Sequence, residues 1–152
     1  MNITQRTATL EDASVLLTWR NNPSAREFSV HFDPIPTDEH IRWYSARLAR
    51  VRLEPFFIFL INREAVGMSR LDITAEFTDK YEISILVDPN QQSKGIGTKI
   101  IEMTCESFFK LHPDKSIIAR VHKKNFTSQR LFIRAGFFPL KSTSDFLKFE
   151  KS

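Results

Sequence analysis

The feature that most constrains this 152-residue chain is a short glycine-containing loop between a predicted strand and a predicted helix. The strand covers residues 81–87 and the amphipathic helix covers residues 95–111. The loop between them ends in Lys94-Gly95-Ile96-Gly97-Thr98. Glycine lets a backbone approach a ligand closely, and the free N–H groups at a helix start face an anion. The loop therefore predicts a binding site for a phosphate or a diphosphate.

This loop differs from the two common nucleotide-binding loops. A Walker loop needs Gly-x-x-x-x-Gly-Lys-Ser/Thr, and a dinucleotide loop needs Gly-x-Gly-x-x-Gly. Neither occurs here, and the whole chain contains four glycines. The alternative for two glycines alone is an ordinary turn. If the loop binds an anion, we expect it to do so in a fold other than a P-loop or Rossmann domain.

Hydrophobic periodicity predicts strands and helices along the whole chain. The predicted strands are residues 3–8, 56–61, 64–73, 81–87, 116–122 and a closing pair after Phe137. The four predicted helices are residues 9–20, 37–52, 95–111 and 127–135. The early strands are joined as hairpins and the later ones alternate with helices, which predicts a mixed α/β fold with a central sheet. No linker or repeat divides the chain, so we expect one domain over residues 1–152.

The charge of the chain indicates no nucleic-acid partner. Lys and Arg exceed Asp and Glu by four, a mild surplus. The densest group, Arg42, Arg47, Arg50 and Arg52, is interpreted as the solvated face of the second helix. A phosphate-bearing small molecule would use such charge equally well.

The cysteine content and the lack of long apolar runs favour a cytoplasmic protein. The single cysteine, Cys105, excludes a disulfide within the chain and is expected to be a buried, inert thiol. The longest apolar run, Phe56–Ile61, is far shorter than the roughly 20 residues of a membrane span, and the N-terminus lacks a signal-peptide pattern. The four histidines show no metal-ligand spacing, so no metal is predicted.

Two segments of the sequence together carry a resemblance to a known superfamily. Val87-Asp88-Pro89 leading to Gln92-x-x-Gly95-x-Gly97 resembles the acetyl-CoA signature of the GNAT N-acetyltransferases, Gln/Arg-x-x-Gly-x-Gly/Ala. Residues 125–137 are similar to that family's second CoA-side segment, Asn-x-x-Ser-x-x-x-Tyr-x-x-x-Gly-Phe. One helix and one strand separate the two segments, as in that family.

The resemblance implies a mostly antiparallel mixed sheet that splays open between its fourth and fifth strands and holds acetyl-CoA in the gap. The pantetheine arm would lie beside the backbone of Leu86 and Val87, because a strand edge offers it the hydrogen bonds of a neighbouring strand. The residues that the resemblance assigns to the cofactor are Leu86, Val87, Gln92, Ser93, Lys94, Gly95, Ile96, Gly97, Thr98, Asn125, Ser128 and Phe132.

The acid–base residues are the next expectation. Acetyl transfer to an amine needs a base, and the resemblance assigns this role to Glu82; the alternative is a carboxylate held in a salt bridge. The family often has a tyrosine acid where this chain has Phe132. Either the CoA thiolate leaves without help, since its pKa resembles the value of about 8.5 for cysteine, or Tyr81, Tyr44 or a water supplies the proton.

The first third of the chain is expected to bind the acceptor. Its arrangement resembles the nucleotide-sugar N-acetyltransferases of pseudaminic-type acid synthesis, and a related arrangement occurs in acetyltransferases of ribosomal-protein N-termini. The residues that carry it are Trp19, Arg20, Asn21, Arg26, His31, His40 and Trp43. The arginines would hold a phosphate and the aromatic rings would stack on a base or sugar; the alternative is core tryptophans and solvated arginines.

The resulting function prediction is an acetyl-CoA-dependent N-acetyltransferase of a small-molecule amine, with an amino sugar on a nucleotide as the first choice. A protein amino terminus is the second acceptor. A module that binds CoA without catalysis is the alternative class, because Phe132 replaces the usual acid. No nucleic-acid or membrane partner is expected, and a homodimer stays open.

Overall fold

The computed structural model describes residues 2–29, 33–76, 79–92, 94–142 and 144–152. Its strands are β1 (Ile3–Thr7), β2 (Phe56–Ile61), β3 (Glu64–Ile73), β4 (Lys80–Val87), β5 (Ser116–His122), β6 (Phe138–Leu140) and β7 (Phe146–Lys151). Its α-helices are α1 (Ala13–Asn21), α2 (Pro23–Arg26), α3 (Thr37–Leu48), α4 (Ile96–Leu111) and α5 (Phe126–Arg134). Two 3₁₀ turns, Leu10–Asp12 and Pro89–Gln91, precede α1 and α4.

The strands form one seven-stranded sheet in the order β1-β2-β3-β4-β5-β7-β6. Every neighbouring pair is antiparallel except β4 and β5, which are parallel. The β2–β3 hairpin turns at Asn62 and Arg63, both at positive φ, 51° and 68°. This combination gives the twist that a two-residue hairpin needs. The mixed, mostly antiparallel sheet of the prediction is therefore confirmed.

The parallel pair is short, and its early end creates a gap in the sheet. Lys80–Glu82 pairs with Ser116–Ile118, and the pairing stops there although β4 continues to Val87 and β5 to His122. The two strands diverge beyond Glu82, so the second half of β4 has a free edge toward β5. The predicted splay between the fourth and fifth strands is confirmed.

Hydrophobic residues are buried on both faces of the sheet. On one face α4 contributes Ile101, Cys105 and Phe108, which pack against strand residues such as Ile83. On the other face α1 and α3 contribute Leu16, Trp19 and Tyr44, packed against Phe56 and Met68. Side chains alternate along a strand, so Met68, Arg70 and Asp72 of β3 all point to the α1 and α3 face.

Two sequence predictions need correction in the first half of the chain. Helix α3 ends at Leu48 and not at Arg52, and its Arg47 is 1% exposed rather than solvated. Arg47 is buried because Asp72 and three backbone carbonyls accept its hydrogen bonds. Helix α1 ends at Asn21, and a short helix, α2, follows directly, since the Asn22 side chain caps it by accepting from the Ser24 N–H at 3.0 Å. Within the described residues, no helix combines the length and apolar character of a membrane span.

Candidate active site

A cleft of about 630 Å³ lies in the gap of the sheet. The free edge of β4 forms one wall, the starts of α4 and α5 form the floor and the opposite wall, and α2 lies at its rim. Its lining includes Leu86, Val87, Gln92, Gly95, Ile96, Gly97, Thr98, Asn125 and Ser128. Nine of the predicted cofactor residues are therefore brought together by the fold.

The start of α4 presents unpaired backbone donors to this cleft. The first hydrogen bond of the helix runs from the N–H of Lys99 to the carbonyl of Gly95 at 3.3 Å. The N–H groups of Ile96, Gly97 and Thr98 therefore have no acceptor within the helix. No side chain among the described residues caps this end. Free donors at the positive end of a 16-residue helix dipole fit an anionic diphosphate.

The two glycines serve different purposes at this site. Gly95 has φ 77°, a left-handed conformation, and a Cβ built there would meet nothing within 4 Å. Its requirement is therefore backbone conformation, and the space beside it stays open for a ligand. A Cβ on Gly97 would lie 2.8 Å from Cδ1 of Leu131 and 3.7 Å from Cγ2 of Val87. Gly97 thus lets α4 approach α5 and β4 closely.

The start of α5 closes the other side of the cleft. Asn125 caps this helix, because its side-chain oxygen accepts from the Ser128 N–H at 3.2 Å. The cap fixes the Asn125 amide at the cleft wall and leaves its NH₂ group as a donor. Asn125 and Ser128 are therefore placed to bind an amide-bearing chain such as pantetheine.

Two predicted cofactor residues, Lys94 and Phe132, do not line the cleft, and a third, Ser93, is outside the described residues. Lys94 is exposed, and its Nζ donates to the side-chain oxygen of Gln91 at 3.2 Å. Phe132 is 4% exposed and packs against Phe137, with ring centroids 5.1 Å apart, so it belongs to the core rather than the cleft wall.

Sequence reasoning missed two arginines of the cleft. Arg130 and Arg134 line it from α5. Their spacing of four residues places them on one helix face, a signal that was present in the sequence.

A second, smaller pocket of about 200 Å³ adjoins the cleft. Its walls come from α1, α2, α3, β3 and β4. Ala25, Ile85 and Leu86 line both cavities, so the two meet beside β4. A group bound in the small pocket would therefore face a group bound in the cleft, as an acceptor amine and a thioester must.

Three of the predicted acceptor residues, Arg20, Arg26 and Trp43, line this pocket. Asn21 has a supporting role: its amide donates to the carbonyl of Ile35 at 3.0 Å and accepts from the N–H of Ile35 at 2.7 Å. It thereby holds the chain before α3 against the end of α1.

Two other predicted acceptor residues, Trp19 and His40, are not at the pocket surface. Trp19 is 3% exposed and packs in the core beneath α1. His40 is fully buried behind Arg20. His31 is outside the described residues.

Two charged residues of the pocket were missed from the sequence, Arg70 and Asp33. Arg70 is a charge inside the predicted strand 64–73, which is the signal that the sequence offered. Asp33 gave no such signal, because it lies outside any helix or strand.

Glu82 lies at the base of the gap, on the same strand face as Ser84 and Leu86. Its Oε1 accepts from Arg120 Nη2 at 2.7 Å and from Arg120 Nε at 3.0 Å. Glu82 lines neither cavity. The salt bridge expected under the alternative interpretation of Glu82 is therefore present. The role of Glu82 as the general base stays a prediction.

The two tyrosines of the chain are structural. Tyr44 is fully buried and donates to the carbonyl of Thr9 at 2.5 Å; burial raises its pKa. Tyr81 packs on Phe108 on the α4 face and donates to the carbonyl of Leu53 at 3.2 Å. Neither lines a cavity, so neither is placed as the acid.

The cysteine is structural as well. Burial raises the pKa of the Cys105 thiol to about 11, which agrees with the expected inert thiol. Among the described residues, no cluster of three His, Cys, Asp or Glu could hold a metal ion.

The chain thus has a sheet that opens beside β4, with the uncapped start of α4 at the gap. The family model of the acetyltransferase (GNAT) domain matches residues 2–138. The chain belongs to this family of acetyltransferase domains.

Similar proteins support the fold. A protein of Methanocaldococcus jannaschii, described only as uncharacterized, is 27% identical over 134 residues; this chain spans about a quarter of its length, 27%. The spermidine N-acetyltransferase of Vibrio cholerae, solved with CoA and spermine, superposes with a TM-score of 0.86 at 18% identity, over 98% of this chain and 94% of that one. An aminoglycoside acetyltransferase solved with coenzyme A and kanamycin gives 0.82 at 21% identity, over 99% and 95%.

Proposed function

We propose that this acetyltransferase acetylates the primary amine of a small anionic acceptor, with an amino sugar carried on a nucleotide as the first candidate. One observation carries the proposal: the arginine-lined pocket meets the CoA cleft at Ile85 and Leu86. Arg20 and Arg26 would hold the diphosphate, and Trp43 offers a ring for stacking on a base or sugar. The enzyme would act as one domain over residues 1–152.

The chain's own residues would arrange the two reactants. The amide groups at the start of α4 would hold the diphosphate of acetyl-CoA, and Asn125 and Ser128 its pantetheine arm. This leaves the thioester beside Leu86, where the acceptor pocket opens. Holding the two reactants in contact makes their reaction effectively unimolecular, which is a large part of the rate enhancement available to such an enzyme.

The reaction requires one proton to leave the amine. The amine nitrogen forms a bond to the acetyl carbonyl carbon, the carbon–sulfur bond breaks, and the products are an amide and CoA. Glu82 would accept the amine proton through water, because it does not itself line the pocket. The thiolate would take its proton from solvent, since its pKa resembles the value of about 8.5 for cysteine.

Release of the CoA thiol with a panel of acceptors tests the proposal. The panel contains a UDP-linked amino sugar, the free amino sugar and a peptide with a ribosomal-protein amino terminus. We expect the nucleotide-linked sugar to be turned over fastest. Acetylation of the peptide alone would establish the second acceptor class. CoA binding without turnover of any amine would establish the non-catalytic module.

A further inference from the structure

Two guanidinium groups lie against one indole ring in the acceptor pocket. The Cζ atom of Arg20 is 4.3 Å from the ring centroid of Trp43, and the Cζ atom of Arg70 is 5.3 Å from it. The three residues come from α1, β3 and α3, and all three line the pocket. The fold therefore gathers two like charges at one aromatic surface.

Arg20 is held in place by a neutral group. His40 Nε2 lies 2.8 Å from the carbonyl of Ala13, which can only accept, so Nε2 carries the proton. Nδ1 of His40 then accepts from Nη1 of Arg20 at 2.9 Å. Among the residues that the structure describes, no carboxylate lies within ion-pair distance of Arg20. Burial lowers the pKa of Arg20, and the positive charge of Arg70 lowers it further.

Within the described part of the chain, Arg70 shares its counter-charge with another arginine. It pairs with Oδ2 of Asp72, whose other oxygen accepts from Nε of the buried Arg47 at 2.8 Å. One carboxylate thus faces two guanidinium groups. With Arg20 beside them, this network carries three positive charges and one negative charge, and Arg20 and Arg70 face the pocket. The pocket lining adds one charge of each sign, Arg26 and Asp33, so the positive surplus remains. An anion in the pocket would balance the surplus, whereas a cation would add to it.

We propose that Arg70 is a specificity-determining residue that, together with Arg20, binds an anionic group of the acceptor and excludes polycationic amines. This inference rests on the proposed function of the pocket as the acceptor site. It separates this chain from the spermidine N-acetyltransferase of Vibrio cholerae, which shares the fold and was solved with spermine. The class of acceptor is then an amine that carries a phosphate or a carboxylate.

Calorimetry on the CoA-saturated protein tests the inference without any turnover. Glucosamine 6-phosphate and glucosamine present the same amine and differ by one phosphate, and spermine is the polycationic probe. The variants are Arg70→Gln, which removes the charge, Arg70→Lys, which keeps it, and Arg20→Gln, which disturbs no ion pair. Arg52→Gln removes an equal charge from an exposed position outside the pocket and is the matched control.

We expect the wild type and Arg52→Gln to bind glucosamine 6-phosphate at least tenfold more tightly than glucosamine, with spermine weakest. Arg70→Gln and Arg20→Gln should each reduce this preference tenfold or more, and Arg70→Lys should keep most of it. The reduction should be small at high salt, since ions screen the pairing. Should Arg70→Gln fail to fold, Arg20→Gln and Arg70→Lys still give the comparison.

The inference is overturned if the phosphate preference of Arg70→Gln and Arg20→Gln equals that of Arg52→Gln. It is also overturned if spermine binds the wild type as tightly as glucosamine 6-phosphate does. Its failure is distinct from failure of the proposed function. An Arg70-dependent preference without acetylation of any amine would retain this inference and reject the function. Turnover of the nucleotide-linked sugar, with a phosphate preference independent of Arg70, would retain the proposed function and reject this inference.

Discussion

Arg120 donates two hydrogen bonds to one carboxylate oxygen of Glu82, at 2.7 and 3.0 Å. Glu82 is the last residue of β4 that pairs with β5, opposite Ile118, and Arg120 lies two residues further along β5. The ion pair therefore bridges the two strands where they begin to separate. A carboxylate fixed at this point is close in sequence to Ser84 and Leu86 of the pocket, yet it is already engaged by a cation.

Glu82→Gln distinguishes a base from a structural ion pair. If Glu82 is the base, the acetylation rate near neutral pH should fall by roughly 10²–10⁴-fold. The loss should shrink at high pH, where the acceptor amine is already neutral, and CoA affinity should stay almost unchanged. Rates over a pH series, with CoA affinity measured by calorimetry, provide the test.

Two matched variants make the result specific. Arg120→Gln leaves the Glu82 carboxylate but removes its partner, and should cost much less activity. Asp33→Asn removes the carboxylate that does line the pocket. Equal losses at every pH in Glu82→Gln would indicate positioning only, and a pH-dependent loss confined to Asp33→Asn would assign the base to Asp33.

Gly95 should be replaceable only by a residue that tolerates a left-handed backbone. Its φ of 77° costs a residue with a Cβ about 1–2 kcal/mol. We expect Gly95→Val to lower the free energy of unfolding and to abolish the rise in Tm that CoA produces by mass action. Gly95→Asn is the control, since asparagine visits this conformation more readily. Normal CoA binding by Gly95→Val would show that the start of α4 does not hold the diphosphate.

Much of this architecture is predictable because its signals are local. Apolar stretches of strand length, bounded by turn residues, placed β2, β3 and β5 at their observed bounds, and the loop before α4 marked the proposed anion site. The gap in the sheet came from the resemblance and not from periodicity, because strand pairing between residues 82 and 118 is a long-range property. The closing pair β6 and β7 was likewise located only in outline.

The acceptor side was less predictable, since it depends on contacts between distant segments. Arg47 looks like its solvated neighbours in sequence, and only the approach of β3 and the loop before β2 buries it. His40 and Trp19 were predicted to contact the acceptor, but tertiary packing buries both side chains in the core. Arg70 faces the pocket because β3 alternates, and its partner Trp43 is 27 positions earlier in the printed chain.

His40 should make the stability of the fold depend on pH. Burial holds the pKa of His40 below the usual value of about 6.5, and the nearby positive charge of Arg20 lowers it further. In this range the unfolded chain binds more protons than the folded one, so stability rises with pH. This stabilisation is complete above about pH 6.5, the pKa of histidine in the unfolded chain. It is lost as the pH falls toward the lower pKa of His40 in the folded chain, by at most about 1.4 kcal/mol per pH unit.

Urea unfolding at several pH values measures this slope. His40→Gln should flatten it whatever its effect on absolute stability, because the titrating group is gone. A slope that survives in His40→Gln would assign the pH dependence to another group.

Arg47 is expected to be the most costly single charge to remove. Its guanidinium is 1% exposed and donates to Asp72 at 2.8 Å and to the carbonyls of Glu54, Pro55 and Leu71 at 2.6, 3.2 and 3.1 Å. Arg47→Ala would strand these acceptors, so we expect a loss of about 3–5 kcal/mol in the free energy of unfolding.

Two further variants test this loss: a conservative substitution of Arg47 and the removal of an exposed arginine from the same helix. Arg47→Lys should restore little, because one ammonium cannot reach acceptors arranged for a planar fork. Arg42→Ala removes an arginine of the same helix whose side chain is 71% exposed and pairs with Asp38, itself 75% exposed, so it should cost less than about 1 kcal/mol. Arg47→Ala should also loosen Arg70, since Asp72 would lose one of its two partners. Equal urea midpoints for Arg47→Ala and Arg42→Ala would show that the buried network contributes nothing beyond an exposed ion pair.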